Sequence, residues 1–188
     1  VLKEGNIDKL YMMMTINSLC LNSITEFMDE MLDLRETYGV RAPIISLNIL
    51  RFPSFQSAAI LPEEIKSHYK EKIDKWIKTE RPQAMLDEGE KESVIRLIDY
   101  LDIVKTPHKN TAETPKLYND FKAFFAQYDI RRNKDFASTF PGPLGDWFTS
   151  LEAEVPSESD IRSKTISLVS LDRAGDPANT EAYGSGDD

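Results

Sequence analysis

Apolar positions fall into two rhythms along this chain. Over residues 10–16 and again over 44–50 they run almost unbroken, and each run closes on polar side chains. Thr15 and Asn17 end the first; Asn48 and then Arg51 end the second. Short apolar runs bounded in this way predict strands. Between them Ile24, Phe27, Met28, Met31, Leu32 and Leu34 recur at helical spacing. Ser23 with Glu26 has the spacing of a capping box, and Gly39 stands where a helix commonly ends on glycine. The pattern predicts one strand–helix–strand unit with parallel strands and a right-handed crossover. Apart from Ser46 and Asn48 the second strand is apolar on both sides, which predicts cover on both faces.

From Pro62 onward the rhythm is helical. Pro62, Glu63 and Glu64 suit a helix start, and Ile65, Tyr69, Ile73, Trp76 and Ile77 follow at spacings of three and four. A polar break at 81–90 precedes a third helix carrying Val94, Ile95, Leu97, Ile98 and Leu101. A polar loop at 105–113 leads to Thr114 and Pro115, which open a fourth helix through Leu117, Phe121, Phe124, Phe125 and Tyr128. Pro141, Gly142 and Pro143 read as a stop. From 152 the chain turns rich in Ser, Asp, Glu, Gly and Pro; 164–171 can form one weak strand, and 175–188 has too little apolar surface to order.

Charge changes the picture in one respect. The net charge is −9 over 188 residues, but 152–188 hold nine acidic and three basic residues, leaving −3 for the rest. The body is near neutral and lacks the basic excess of a nucleic-acid binder. No apolar run approaches the roughly 18–20 residues of a membrane span. Cys20 is the single cysteine, so no disulfide framework exists, which fits a reducing, cytoplasmic setting.

In parallel α/β folds ligands sit beyond the carboxyl ends of the strands. Thr15, Asn17, Asn48 and Arg51 are therefore the first candidates, with Gln56 on the following loop. Each also has an ordinary reading. Asn17 can be a turn residue, and Asn48 a buried amide satisfied by backbone. Arg51 can sit in a salt bridge. Other chemistries fail: His68 and His108 lack companions at metal-ligand spacing, and no Gly-x-Ser-x-Gly elbow or glycine-rich phosphate loop is present.

An ordered set of phrases carries a resemblance. Residues 11–17 read Tyr-Met-Met-Met-Thr-Ile-Asn. Residues 50–56 read Leu-Arg-Phe-Pro-Ser-Phe-Gln, followed by Leu61, Pro62 and Lys66. Asp129 with Arg131 then leads to Asp135, Phe136 and Thr139-Phe140-Pro141. Together, over roughly residues 2–148, they resemble the C-terminal half of radical S-adenosylmethionine proteins with a short twitch-type extension.

The resemblance implies an α/β fold: the C-terminal part of a partial (β/α) barrel over 1–61, a helical extension over 62–151, and a disordered acidic tail over 152–188. It implies S-adenosylmethionine and a 4Fe–4S cluster as cofactors of the parent protein, together with a missing N-terminal barrel half and an unknown substrate. Thr15, Asn17, Asn48 and Arg51 would face the cofactor, and Gln56 the substrate. Asp129 with an arginine would hold the last helix. The family's Cys-x-x-x-Cys-x-x-Cys loop is absent here, and one cysteine cannot hold the cluster. The rival expectation is a non-enzymatic helical interaction module with an acidic tail.

Overall fold

The computed structural model describes residues 9–104 and 113–163. The loop expected at 105–113 falls almost wholly outside them. The strand expected at 164–171 and the disorder expected at 175–188 lie outside them entirely. The described chain is α/β but mostly helical. Strands β1 (Tyr11–Ile16) and β2 (Ile44–Ile49) pair in parallel, from Tyr11 opposite Ile44 to Ile16 opposite Ile49. Helix α1 (Ile24–Tyr38) connects them. There follow α2 (Glu63–Ile77), α3 (Glu80–Met85), α4 (Glu88–Ile103), α5 (Glu113–Arg132), α6 (Phe136–Thr139), α7 (Pro143–Ser150) and α8 (Glu158–Ser163). The sheet among the described residues has two strands and closes no barrel.

The apolar rhythms account for most of these elements. Ile24, Met28, Met31 and Leu32 on α1 are buried, as are Ile65, Tyr69, Ile73 and Ile77 on α2 and Val94, Leu97 and Leu101 on α4. Gly39 ends α1 at φ +57, a conformation a side chain would strain. Polar ties lock α2 on α1: Tyr69 donates its hydroxyl to Asn22 Oδ1 at 3.0 Å, and Trp76 Nε1 donates to Asp29 at 2.8 Å. Lys66 is buried and donates to Val104 O at 2.6 Å, satisfying a carbonyl at the end of α4.

Local readings fail where a tertiary partner competes. Ser23 makes no side-chain cap, its N–H goes to Cys20 O at 3.3 Å, and the Glu26 side chain turns to α2 and accepts from Lys72 at 2.7 and 3.0 Å. The capping box lies instead at Asp87 and Glu90, inside the stretch expected to be a polar break, and Arg81 and Pro82 belong to α3. Pro143 starts α7 at its first turn, where its missing N–H costs nothing. The tail beyond 152 also holds α8, whose Ile161 is buried.

Cover on both faces of the sheet is a second correction. Ile16, Ile45 and Leu47 are buried and Met12, Met14 and Ile49 pack on the same core, while on the other face Tyr11 is 65% and Met13 70% exposed. The edges differ too. Ile44 N–H donates to Leu10 O and Leu50 N–H to Ile16 O, so even-numbered β1 residues bond toward β2 and odd-numbered ones point outward. On the β2 side, α4 closes the edge. Glu90 accepts from Ile45 N–H at 2.8 Å and Ser93 Oγ from Leu47 N–H at 3.1 Å, and Arg96 reaches Leu47 O at 3.5 Å. On the β1 side the N–H groups of Tyr11, Met13 and Thr15 have no partner among the described residues.

Glu90 is the centre of this arrangement, its side chain 1% exposed. Arg35 grips it with both terminal nitrogens at 2.6 Å and also donates to Met85 O at 2.7 Å and Pro43 O at 2.9 Å. Asp87 N–H donates to its second oxygen at 2.9 Å. Burial by itself would push the Glu90 carboxyl up; the Arg35 hydrogen bonds, those from Ile45 and Asp87, and the arginine's charge outweigh it and hold the group below its ordinary 4.5. A carboxyl lowered on folding stabilises the fold above that ordinary value and loses the contribution as pH falls through the lowered one. Urea unfolding of Glu90→Gln should therefore show a loss of about 3 kcal/mol at pH 7. The variant's stability should also change less than the parent's between pH 5 and pH 3. Equal stability at pH 7 would show that the pair does not organise the fold.

Candidate functional site

The loops that leave the two strands are tied together. Ser18 N–H donates to Gln56 O at 2.9 Å, which sets the turn after β1 beside the turn after β2. Asn17 Oδ1 accepts from Leu19 N–H at 2.9 Å and Cys20 N–H at 3.0 Å. Its carbonyl thus fixes the turn, and its amide nitrogen has no partner among the described residues. Asn17 and Gln56 then stand on one wall of a cavity of about 470 Å³. Helix α5 forms the other wall with Phe124, Phe125, Tyr128 and Asp129, and Lys134, Phe136 and Phe140 complete it.

The aromatic part of the wall belongs to a larger cluster. Phe136 stacks on Phe148 with centroids 3.9 Å apart, and Phe121 lies edge-on to Phe125 at 4.8 Å. Phe124 meets Phe55 at 5.3 Å, joining α5 to the loop after β2. Of the aromatics whose spacing suggests core, Phe121 and Phe125 are buried, whereas Phe124 is 43% and Phe52 81% exposed; Phe136 is buried as well. Asp129 was expected to pair with an arginine. Its Oδ2 instead accepts from Phe136 N–H at 2.8 Å and anchors α6, while Arg131 and Arg132 are exposed. Burial pushes the Asp129 carboxyl above its ordinary value, and the Asp135 charge adds to that against the opposing Phe136 bond and the Lys122 charge.

The remaining candidates lie elsewhere. Thr15 and Asn48 are register partners, both exposed on the uncovered sheet face, and neither lines the cavity. Asn48 was expected to be buried and in need of a partner; with no layer over its face it is open. Arg51 is exposed and forms no ion pair among the described residues. The five candidates thus split into a cavity pair, Asn17 and Gln56, and a sheet-face group, Thr15 and Asn48 with Arg51 beyond. Asp129 as a cavity residue was missed, although its i, i+4 spacing from Phe125 places the two on one helix face.

Among the described residues no three His, Cys, Asp or Glu side chains gather as a metal site, and Cys20 Sγ lies 3.7 Å from Thr15 O. No helix among them is long and apolar enough to cross a membrane. Comparison with protein-family models, with curated proteins and with solved structures finds no match.

Two neighbours on the β1 turn should behave in opposite ways. Asn17→Ala removes an acceptor shared by two backbone N–H groups and should cost about 1 kcal/mol in thermal or urea unfolding. Ser18 is fully buried and its hydroxyl has no partner among the described residues, so Ser18→Ala should leave stability unchanged or raise it. A large loss for Ser18→Ala would reveal a partner for that hydroxyl.

Proposed function

We propose that this chain is the late wall of a radical S-adenosylmethionine barrel, completing the pocket of a parent enzyme without binding its cluster. The observation that carries the reading is the one-sided sheet. Among the described residues core packing covers one face of the parallel pair and leaves the other face, with the outer edge of β1, open. Further parallel strands on the β1 side would pair that edge and turn the open face into a barrel interior. Thr15 and Asn48 lie near the carboxyl ends of that face, where such folds bind ligands.

The residues present fit one of the implied cofactors and not the other. A 4Fe–4S cluster needs three thiolates and Cys20 is alone, so its ligands belong to the missing N-terminal half of the barrel. S-adenosylmethionine needs hydrogen-bond donors and acceptors around its amino-acid and ribose groups, and the Thr15 hydroxyl and Asn48 amide provide both. Arg51, unpaired among the described residues, adds a fork for a carboxylate. The bound cofactors supply the radical that abstracts hydrogen from a substrate; this chain's residues orient what the barrel holds, and Gln56 sits on the substrate side. A reducing cytoplasmic setting goes with that chemistry. In the rival reading the open face docks a protein partner and no catalysis occurs.

Anaerobic reconstitution of the chain alone should give no cluster absorbance. In the full-length parent, reconstituted and assayed for 5′-deoxyadenosine, Asn48→Ala and Thr15→Ala should each lower turnover by about tenfold or more. The same substitutions should change the stability of the isolated chain by no more than about 0.5 kcal/mol, since both positions are exposed. A parent reading frame without three cysteines at the family spacing would leave the interaction module standing.

A further inference from the structure

The cavity beside α5 holds a combination that the barrel reading does not use. Five rings line it, from Phe124, Phe125, Tyr128, Phe136 and Phe140, and among its polar groups is one carboxylate, Asp129. That carboxylate spends one oxygen on Phe136 N–H and makes no ion pair among the described residues. Half-buried Lys122, whose charge acts on Asp129, is committed elsewhere: its Nζ donates to Phe148 O at 2.7 Å and sits 3.9 Å from the Phe148 ring centroid. Lys134 lines the cavity but is exposed and does not bond to Asp129 through its ammonium.

We propose that this cavity binds an aryl- or alkylammonium ion, its charge on the Asp129 carboxylate and its apolar body among the rings of α5 and α6. A partly desolvated carboxylate with no cation in contact is costly, even with the Lys122 charge nearby, and a cation that brings its own apolar surface relieves that cost. Ring faces attract the same cation through their quadrupoles, whereas they give a carboxylate ligand nothing. The volume of about 470 Å³ lies within the range of small-molecule pockets, roughly 300–1,000 Å³. The net charge of −9 draws cations toward the molecule at long range. Burial raises the carboxyl of Asp129, as expected for an acid awaiting a partner. The assignment stands on the cavity alone and holds whether or not the sheet belongs to a barrel.

Phenethylamine, 2-phenylethanol and 3-phenylpropanoate share a ring and a similar length and differ in charge. Titrated into the 188-residue chain at pH 7 and low salt, with calorimetry or ligand-observed magnetic resonance as the readout, phenethylamine should bind about tenfold more tightly than the alcohol. The propanoate should bind most weakly. Asp129→Asn keeps an oxygen for the Phe136 N–H; it should reduce phenethylamine to the level of the alcohol and leave the alcohol unchanged. Phe124→Leu, at a half-exposed position, should weaken the amine several-fold more than the alcohol. Equal binding of all three probes, binding by none of them, or an amine affinity indifferent to both substitutions would each overturn the proposal.

Discussion

One buried ion pair ties α1, β2, α3 and α4 together. Arg35 and Glu90 meet in a two-pronged contact at 2.6 Å, and both side chains also bond to backbone. Arg35 fixes the carbonyls of Pro43 and Met85; Glu90 fixes the N–H groups of Ile45 and Asp87. The last turn of α1, the start of β2, the end of α3 and the first turn of α4 are thus held at one point. Desolvating two charges is expensive, and the arrangement persists because each charge is surrounded by hydrogen bonds of matching polarity.

The asymmetry of the sheet follows from that point. Glu90 orients α4 so that Glu90, Ser93 and Arg96, three residues apart on one helix face, occupy the backbone groups of Ile45 and Leu47. A helix therefore stands where a further strand would pair, and growth of the sheet on the β2 side is blocked. The β1 side carries no such cover among the described residues. Among the described residues one layer packs behind the strands and none lies in front of them, so polar and apolar side chains alike, Thr15, Asn48, Tyr11 and Met13, face outward. Half of the candidate site is open for that reason.

The other half owes its position to α5. Phe55 and Phe124 bring the loop after β2 against the helix, and Asp129 holds α6 by the Phe136 N–H, so an aromatic wall closes on the turn that Asn17 organises. Asn17 and Gln56 were legible as candidates because they follow strands. Asp129 was legible only as a charge near a helix end, since its partner is a backbone group seven residues on and its cavity is made by rings from two helices together with the turns after β1 and β2. Ser23 and Glu26 show the opposite error. Their spacing is that of a capping box, yet Lys72, 46 residues from Glu26, outcompetes the local bond.

By itself the sequence determined the elements whose signal is periodic and local: β1, α1 and β2, the buried stripes of α2 and α4, the glycine end of α1, and the polar residues beyond the strands. Apolar spacing reports which face of an element must leave water, and that requirement holds whatever the element packs against. The tertiary structure alone decided which strand edge is closed, which sheet face is bare, and which acid meets which base. Those depend on groups far apart in the chain finding one another in three dimensions, as Ile45 finds Glu90 and Arg35 finds it too. No spacing within a single segment encodes such a meeting.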